Sequence, residues 1–464
     1  MASELTPVND QQATANQAQT AERMSFFDRA RVATVMLASG MAVMATVSVN
    51  LPSVEAPAPH TNVAAAPYYA HQLPPDGLNA CPLLDVASMK AAAQLIEQPP
   101  NPDIKKQDNL ASQKIDKEMG GSLYVAMARA TGIYLPRPAN AIRLGYEGEF
   151  KGRENAAKKF GVHIYDSTDA LVTLNNYNND PNSNFDDFFA AAQKYLKNFG
   201  VDLQVGNTTD EYADDLRAPT LSELQTNTAK MNMFILVEAF STLPQEYIDL
   251  SGLEKIIIAA GPDSTDGAYA TGSDRHSVMV LNTSGQADIG TIYHEIWHMV
   301  DGSTCGGGNA AQIDPTYAQY NNGKKVYGNR STAPTIDSLY GSAEFDNTTD
   351  KVRESLRHQN YRQACIAILA ENALYKHVSL LTDYSRTNIV EDKAEIGKYL
   401  PMQGAWIVAT SPLSPQIFGK FETDLGRVYY YSPEVAEYFA AIANRQPFKQ
   451  CNLATANANT FGKG

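Results

Sequence analysis

Apolar residues first organise at 84–96, where a helical repeat interrupts a Pro- and Ala-rich stretch from 51 to 103 that reads as an extended linker. A region from 104 to 215 follows. Its apolar residues around Val162-His163-Ile164-Tyr165 and Ala170-Leu171-Val172-Thr173-Leu174 read as short strands. A helix is expected at 185–199, opened by Asn184 or Asp186 and closed by Gly200. The Asn-, Asp- and Pro-rich residues 175–184 read as a loop.

From about 216 to 464 the pattern tightens into what is expected to be one domain. Residues 221–241 read as an amphipathic helix ended by Leu243-Pro244. Residues 255–260 form an apolar, β-branched strand, 261–267 a turn, 268–270 a second strand and 277–281 a third. Residues 282–288 then supply caps for a further helix. Ile292, Ile296 and Val300 make its i, i+4, i+8 stripe, with Trp297 beside it and Gly302 as a stop. The expected fold class is α+β.

Composition adds two constraints. The chain has 464 residues, 44% of them hydrophobic, and a net charge of −14. An acidic surface argues against nucleic acid or anionic lipid as a main partner. At the N-terminus, polar residues 1–23 precede a basic flank, Met24 to Arg31, and an uncharged run at 32–49. That arrangement is expected of a secretory signal or an uncleaved membrane anchor, so residues 1–50 read as a leader of a secreted, periplasmic or cell-envelope protein. Met24 as the true start would account for the polar leader. Val43-Met44-Ala45 and Thr46-Val47-Ser48 both satisfy a small-residue cleavage rule. The four cysteines, Cys81, Cys305, Cys365 and Cys451, allow two disulfides in three connectivities. They contain no CxxC pair, so a cysteine-based metal site is not expected.

The chemistry concentrates in His294-Glu295-Ile296-Trp297-His298. Histidines four apart on a helix project from one face and suit one Zn²⁺ per chain. Glu295, rotated about 100° from His294, is placed to take a proton from a metal-activated water rather than to bind the metal. Asp301, at His298+3, is expected to orient an imidazole by accepting its other N–H. Two imidazoles leave the tetrahedron short of a third protein ligand. The H-E-x-x-H-x-x-G-x-x-H spacing that would supply a third histidine is absent, since Asp301 and Thr304 stand there.

A downstream segment, Tyr384-Ser385-Arg386-Thr387-Asn388-Ile389-Val390-Glu391-Asp392-Lys393-Ala394-Glu395, meets that need. Thr387 or Asn388 would cap a helix running to about Leu400, with Glu391 and Glu395 on one face. One carboxylate there would bind the metal and another, beneath it, would hold a histidine. Tyr384 would sit just before the helix, its phenol toward the reacting oxygen.

Together, His294-Glu295-x-x-His298-x-x-Asp301 and Tyr384-x-x-Thr387-Asn388-x-x-Glu391-x-x-Ala394-Glu395 resemble the metallopeptidase domain of the anthrax lethal factor family, which includes the Pro-Pro endopeptidases. The resemblance covers about 220–400, including the Leu243-to-Ile258 lead-in to the sheet. It implies a zincin-like domain with a small mixed sheet and a zinc-dependent endopeptidase acting on protein or peptide. It further implies Glu391 as the third zinc ligand, Glu295 as general base, Tyr384 as oxyanion stabiliser and Glu395 as the histidine's support. The strand at 277–281 is expected to be the edge that binds extended substrate.

Two departures stand out. Between His298 and Glu391 lie 92 residues, more than the resemblance implies, including a Tyr-rich loop from Tyr317 to Tyr327 expected to shape the cleft. Lys393 stands where the family has an aromatic residue. Glu437, seven residues after Tyr430, competes as third ligand but lacks the Thr-Asn cap and the second carboxylate, which favours Glu391. His276, His358 and His377 read first as structural histidines. The alternative function is a binding module that keeps the metal fold without turnover, against which the intact Glu295 argues.

Overall fold

The computed structural model describes residues 69–97, 139–206, 216–261, 268–271, 277–285, 287–328, 331–335, 378–401 and 414–443. The leader with its 32–49 run, His276, His358, His377, Cys365 and Cys451 lie outside them. Among the described residues, no helix is long and apolar enough to cross a membrane.

The elements in chain order are α1 (Val86–Glu97), α2 (Ala139–Phe160), α3 (Thr168–Asn178), α4 (Phe185–Leu196), β1 (Asp202–Val205), α5 (Asn227–Phe240), α6 (Gln245–Ser251), β2 (Leu253–Ala259), β3 (Ala268–Thr271), β4 (Ser277–Asn282), α7 (Ile289–Cys305), α8 (Ile389–Gly397), α9 (Pro415–Tyr431) and α10 (Pro433–Ala443). The fold is α+β with one small mixed sheet, ordered β1-β2-β4-β3. β1, β2 and β4 run parallel, and β3 pairs antiparallel with β4 at one edge.

Several expectations change for physical reasons. Residues 170–174 are helical, not a strand. Thr168, Leu171 and Val172 are buried at helical spacing, and the Asp166 carboxylate accepts the Thr168 N–H at 2.8 Å at the helix start. Residues 162–165 form no strand either. The strand of this region is instead β1, where Leu203 and Val205 alternate with Asp202 and Gln204 and only Leu203 is buried. Helix 221–241 is broken: Thr226 accepts the Ala229 N–H at 3.1 Å and restarts it as α5. Gly302 does not stop the histidine helix. α7 runs three residues further, to Cys305, and ends at Gly306, whose φ of 82° suits glycine. A Cβ at Gly306 would also lie 2.6 Å from the Pro75 carbonyl.

That close approach shows that residues 69–97 are no free linker. The Gly77 N–H donates to Gly306 O, Cys81 N–H to Ile313 O and Ala70 N–H to Tyr431 O, at 2.8–3.0 Å. Cys81 and Cys305 form a disulfide, one arm of a single connectivity among the three open to four cysteines. α1 then buries Ala92 and Leu95 in the common core. The boundary at 215/216 does not divide that core either, because β1 pairs with β2 and residues from Ala92 to Ile442 pack in one cluster.

Two contacts set α8 against α7. A Cβ at Gly397 would meet the fully buried Trp297 ring at 2.1 Å, so the helices approach closely only because this position is glycine. Beneath them lies a charged interior. Lys393 on α8 contacts both Asp301 oxygens on α7, at 2.7 and 2.6 Å, and Asp314 at 3.6 Å. Arg427 on α9 binds Asp314 at 2.8 Å. Lys420 on α9 binds Asp392 on α8 at 2.5 Å, and the Tyr327 hydroxyl donates to the same Asp392 oxygen at 2.8 Å. All of these acids and bases are fully buried. Burial, reinforced by Asp301 and Asp314, pushes the Asp424 carboxyl well above the usual range. Asp301, Asp314 and Asp392 thus face Lys393, Arg427 and Lys420. The Tyr-rich loop is part of this interior: Tyr317 is fully buried, with Lys420 over its ring at 5.0 Å.

Gly397→Ala should destabilise the protein by about 1–3 kcal/mol through overpacking, read as a shift in the urea midpoint. Lys393→Met should cost about 3–5 kcal/mol, because it strands buried carboxylates. The double variant Lys393→Met/Asp301→Leu should recover part of that loss in the same titration.

Candidate metal centre

α7 presents its two histidines on one face, and Asp288 caps it by accepting the Thr291 N–H at 2.7 Å. α8 begins at Asn388, whose side chain accepts the N–H groups of Val390 at 2.8 Å and Glu391 at 3.0 Å. Asn388, not Thr387, is thus the cap, and it fixes the turn that carries Glu391.

Across the two helices, His294 Nε2 lies 3.0 Å from Glu391 Oε2 and 3.0 Å from His298 Nε2, and His298 Nε2 lies 3.3 Å from the same Glu391 oxygen. Ligand atoms bound at roughly 2.0–2.1 Å to one tetrahedral centre stand about 3.3–3.4 Å apart. The observed triangle is that shape, slightly contracted. On the other side of its ring, His294 Nδ1 lies 3.0 Å from Glu395 Oε1. A carboxylate accepts, so Nδ1 carries the proton and Nε2 turns a lone pair toward two further acceptors. Three lone pairs converging on one point require a proton or a metal ion between them.

The metal-free electrostatics agree. Burial opposes charging of His294, but hydrogen bonds to Glu391 and Glu395 outweigh it and push its pKa up to about 9. Burial likewise works against ionised Glu391, yet contacts with His294 and His298 hold it far below the usual carboxylate range. Glu395 is held low too, against burial, first by Lys398 and then by His294.

Glu295 is buried beside the cluster, and its Oε2 accepts the Ala270 N–H of β3 at 2.6 Å. Burial raises its pKa, while His294 and His298 pull it down. Tyr384 sits in a 3-10 turn before α8, 53% exposed, with its ring centroid 5.7 Å from that of His294.

Other expectations move. Asp301 supports no imidazole; its carboxylate is taken by Lys393, which stands two residues after Glu391, on the opposite face of α8 from Glu391 and Glu395. Glu437 lies on α10 near Lys159 and Glu434, away from the histidines. β4 is an interior strand, so the edge beside Glu295 is β3. Lys398, unforeseen, donates to Glu395 Oε1 at 2.7 Å; its spacing of three from Glu395 was the available signal. A second group with close potential ligand atoms, Cys81, Asp301, Cys305 and Asp314, is committed otherwise. Its sulfurs are bonded to each other, and its carboxylates face Lys393 and Arg427.

Comparison with protein-family models, curated proteins and solved structures finds no match to this chain.

The raised pKa of His294 has a stability consequence in metal-free protein. Its contribution is complete below the unfolded value of about 6.5 and is lost as pH rises through the folded value of about 9. The Tm of chelator-stripped protein should therefore fall across that window. A divalent metal ion in the proton's place should flatten the fall in the same thermal melts.

Proposed function

We propose that this protein is a zinc-dependent endopeptidase of the two-histidine, one-glutamate type with a zincin-like catalytic domain. The observation that carries the reading is the convergence of His294 Nε2, His298 Nε2 and Glu391 Oε2 from two helices, with the Glu295 carboxylate beside them. The resemblance to the lethal factor metallopeptidase domain supports it, since the residues of both motifs meet at one place.

His294, His298 and Glu391 would hold the ion, with Glu395 fixing the tautomer that leaves His294 Nε2 free to ligate. Zinc, when bound, supplies Lewis acidity for water and for the scissile carbonyl. Glu295 accepts the proton of the attacking water and returns it to the departing amine. Its hydrogen bond from Ala270 fixes one oxygen and leaves the other for that transfer. Tyr384, exposed over the His294 ring, donates a hydrogen bond to the developing oxyanion. β3, the sheet edge beside Glu295, offers main-chain groups along which an extended peptide adds as a further strand. The N-terminal run at 32–49 supports export or anchoring in the envelope.

Metal analysis paired with a peptide-library cleavage assay tests the reading. Glu295→Gln should keep stoichiometric zinc and lose cleavage by about 10²-fold or more. Glu391→Ala should lose the zinc itself. Full zinc in Glu391→Ala would remove Glu391 from the ligand set, and unchanged cleavage by Glu295→Gln would overturn the proposed mechanism.

A further inference from the structure

On a different face of the histidine helix, α2, α3, α5 and α7 line a half-open cavity of about 260 Å³. At about 30 Å³ per water, it has room for several waters or one small organic molecule. Its walls include three aromatic rings, Tyr146, Phe150 and Tyr293, and three charged groups, Glu149, Arg153 and Glu238. Tyr293 comes from α7 itself, next in sequence to His294.

The charges do not balance. Arg153 is taken by Glu149 through Nη2, and its Nη1 lies 3.4 Å from the Ser241 carbonyl. Glu238 is partly buried, and among the described residues its carboxylate has no hydrogen-bond or ion-pair partner. Burial, with Glu149 adding and Arg153 opposing, pushes its pKa up to about 7. A carboxylate removed from water without a partner is costly, and a counter-charge entering the cavity would relieve that cost.

The chemistry selects the ligand. An anion would meet Glu238 unfavourably, and a neutral apolar molecule would leave it unpaired. A hard metal ion wants six or more oxygen ligands, whereas a single unmatched carboxylate among aromatic walls offers too few. Aromatic rings with one free carboxylate suit an organic cation, whose charge pairs with the carboxylate and rests against the ring faces. We propose that this cavity binds a compact organic monocation, an alkylammonium or alkylguanidinium group, through Glu238 and the rings of Tyr146, Phe150 and Tyr293.

The test is equilibrium binding to the full chain by calorimetry or saturation-transfer NMR. The probes are n-butylammonium, the neutral n-pentanol and the anionic pentanoate. Butylammonium should bind at least tenfold more tightly than either control. Glu238→Gln, which keeps the side-chain shape, should weaken it by about tenfold or more, as expected for loss of a charge-assisted contact. Phe150→Leu should weaken butylammonium but leave the weaker binding of pentanol unchanged. Zinc content and Tm of each variant, compared with the parent, separate these effects from misfolding. Equal binding of amine and alcohol, unchanged amine binding in Glu238→Gln, or no amine binding by the parent would each overturn the proposal. The cavity holds none of the metal-binding side chains, so its failure and that of the peptidase reading are separable.

Discussion

The buried pairing of Lys393 with Asp301 is the constraint on which the site depends. These residues sit on the two helices that carry the candidate ligands, Asp301 three residues after His298 and Lys393 two after Glu391. Their contact fixes how α8 lies on α7, and Gly397 against Trp297 fixes how closely. Neither charge is stable alone in that interior. With Arg427, Asp314, Lys420 and Asp392 they form a network in which each charge has an opposite partner, drawn from α7, α8, α9 and the loop before Tyr317. Removing either helix from this arrangement would expose an unpaired buried charge, so the relative placement of the ligand helices is held by the cost of breaking the network.

The same logic extends outward. The N-terminal strap closes over the end of α7 through the Cys81–Cys305 bond, and Arg427 reaches the Pro82 carbonyl at 3.4 Å. The strap thus covers one side of the charged interior and keeps water from it. Near the middle of α7, where Glu391 of α8 meets His294 and His298, the three converging atoms carry excess lone pairs, which only a proton or a cation can satisfy. One helix therefore joins a closed, neutralised interior to a cluster of lone pairs that needs a proton or a cation among them.

Local signals in the chain carried much of this. The His294-to-His298 spacing, the Asn388 cap and the Glu391–Glu395 pairing follow from helical periodicity and capping, which act within a few residues. Their prediction needs no knowledge of the rest of the fold. The stripe of Ile292, Ile296 and Val300 is buried as expected. Strands β2, β3 and β4 were legible for the same reason, as short apolar runs between turn residues. β1 carries the same kind of alternation, but over only four residues, and its pairing with β2 comes from a partner about 50 residues away.

Sequence by itself determined which residues could bind and activate: two imidazoles on one face, a neighbouring carboxylate, and a second capped helix with paired glutamates. Only the tertiary structure decided their partners. Asp301 faces Lys393 rather than an imidazole, Lys398 joins Glu395, β3 rather than β4 is the sheet edge beside Glu295, and residues 69–97 are a fixed strap rather than a linker. The physical reason is common to all four. A side chain's type and its helical face are local properties, whereas the neutralisation of a buried charge, the edge of a sheet and the cover over a core depend on contacts between segments distant in the chain.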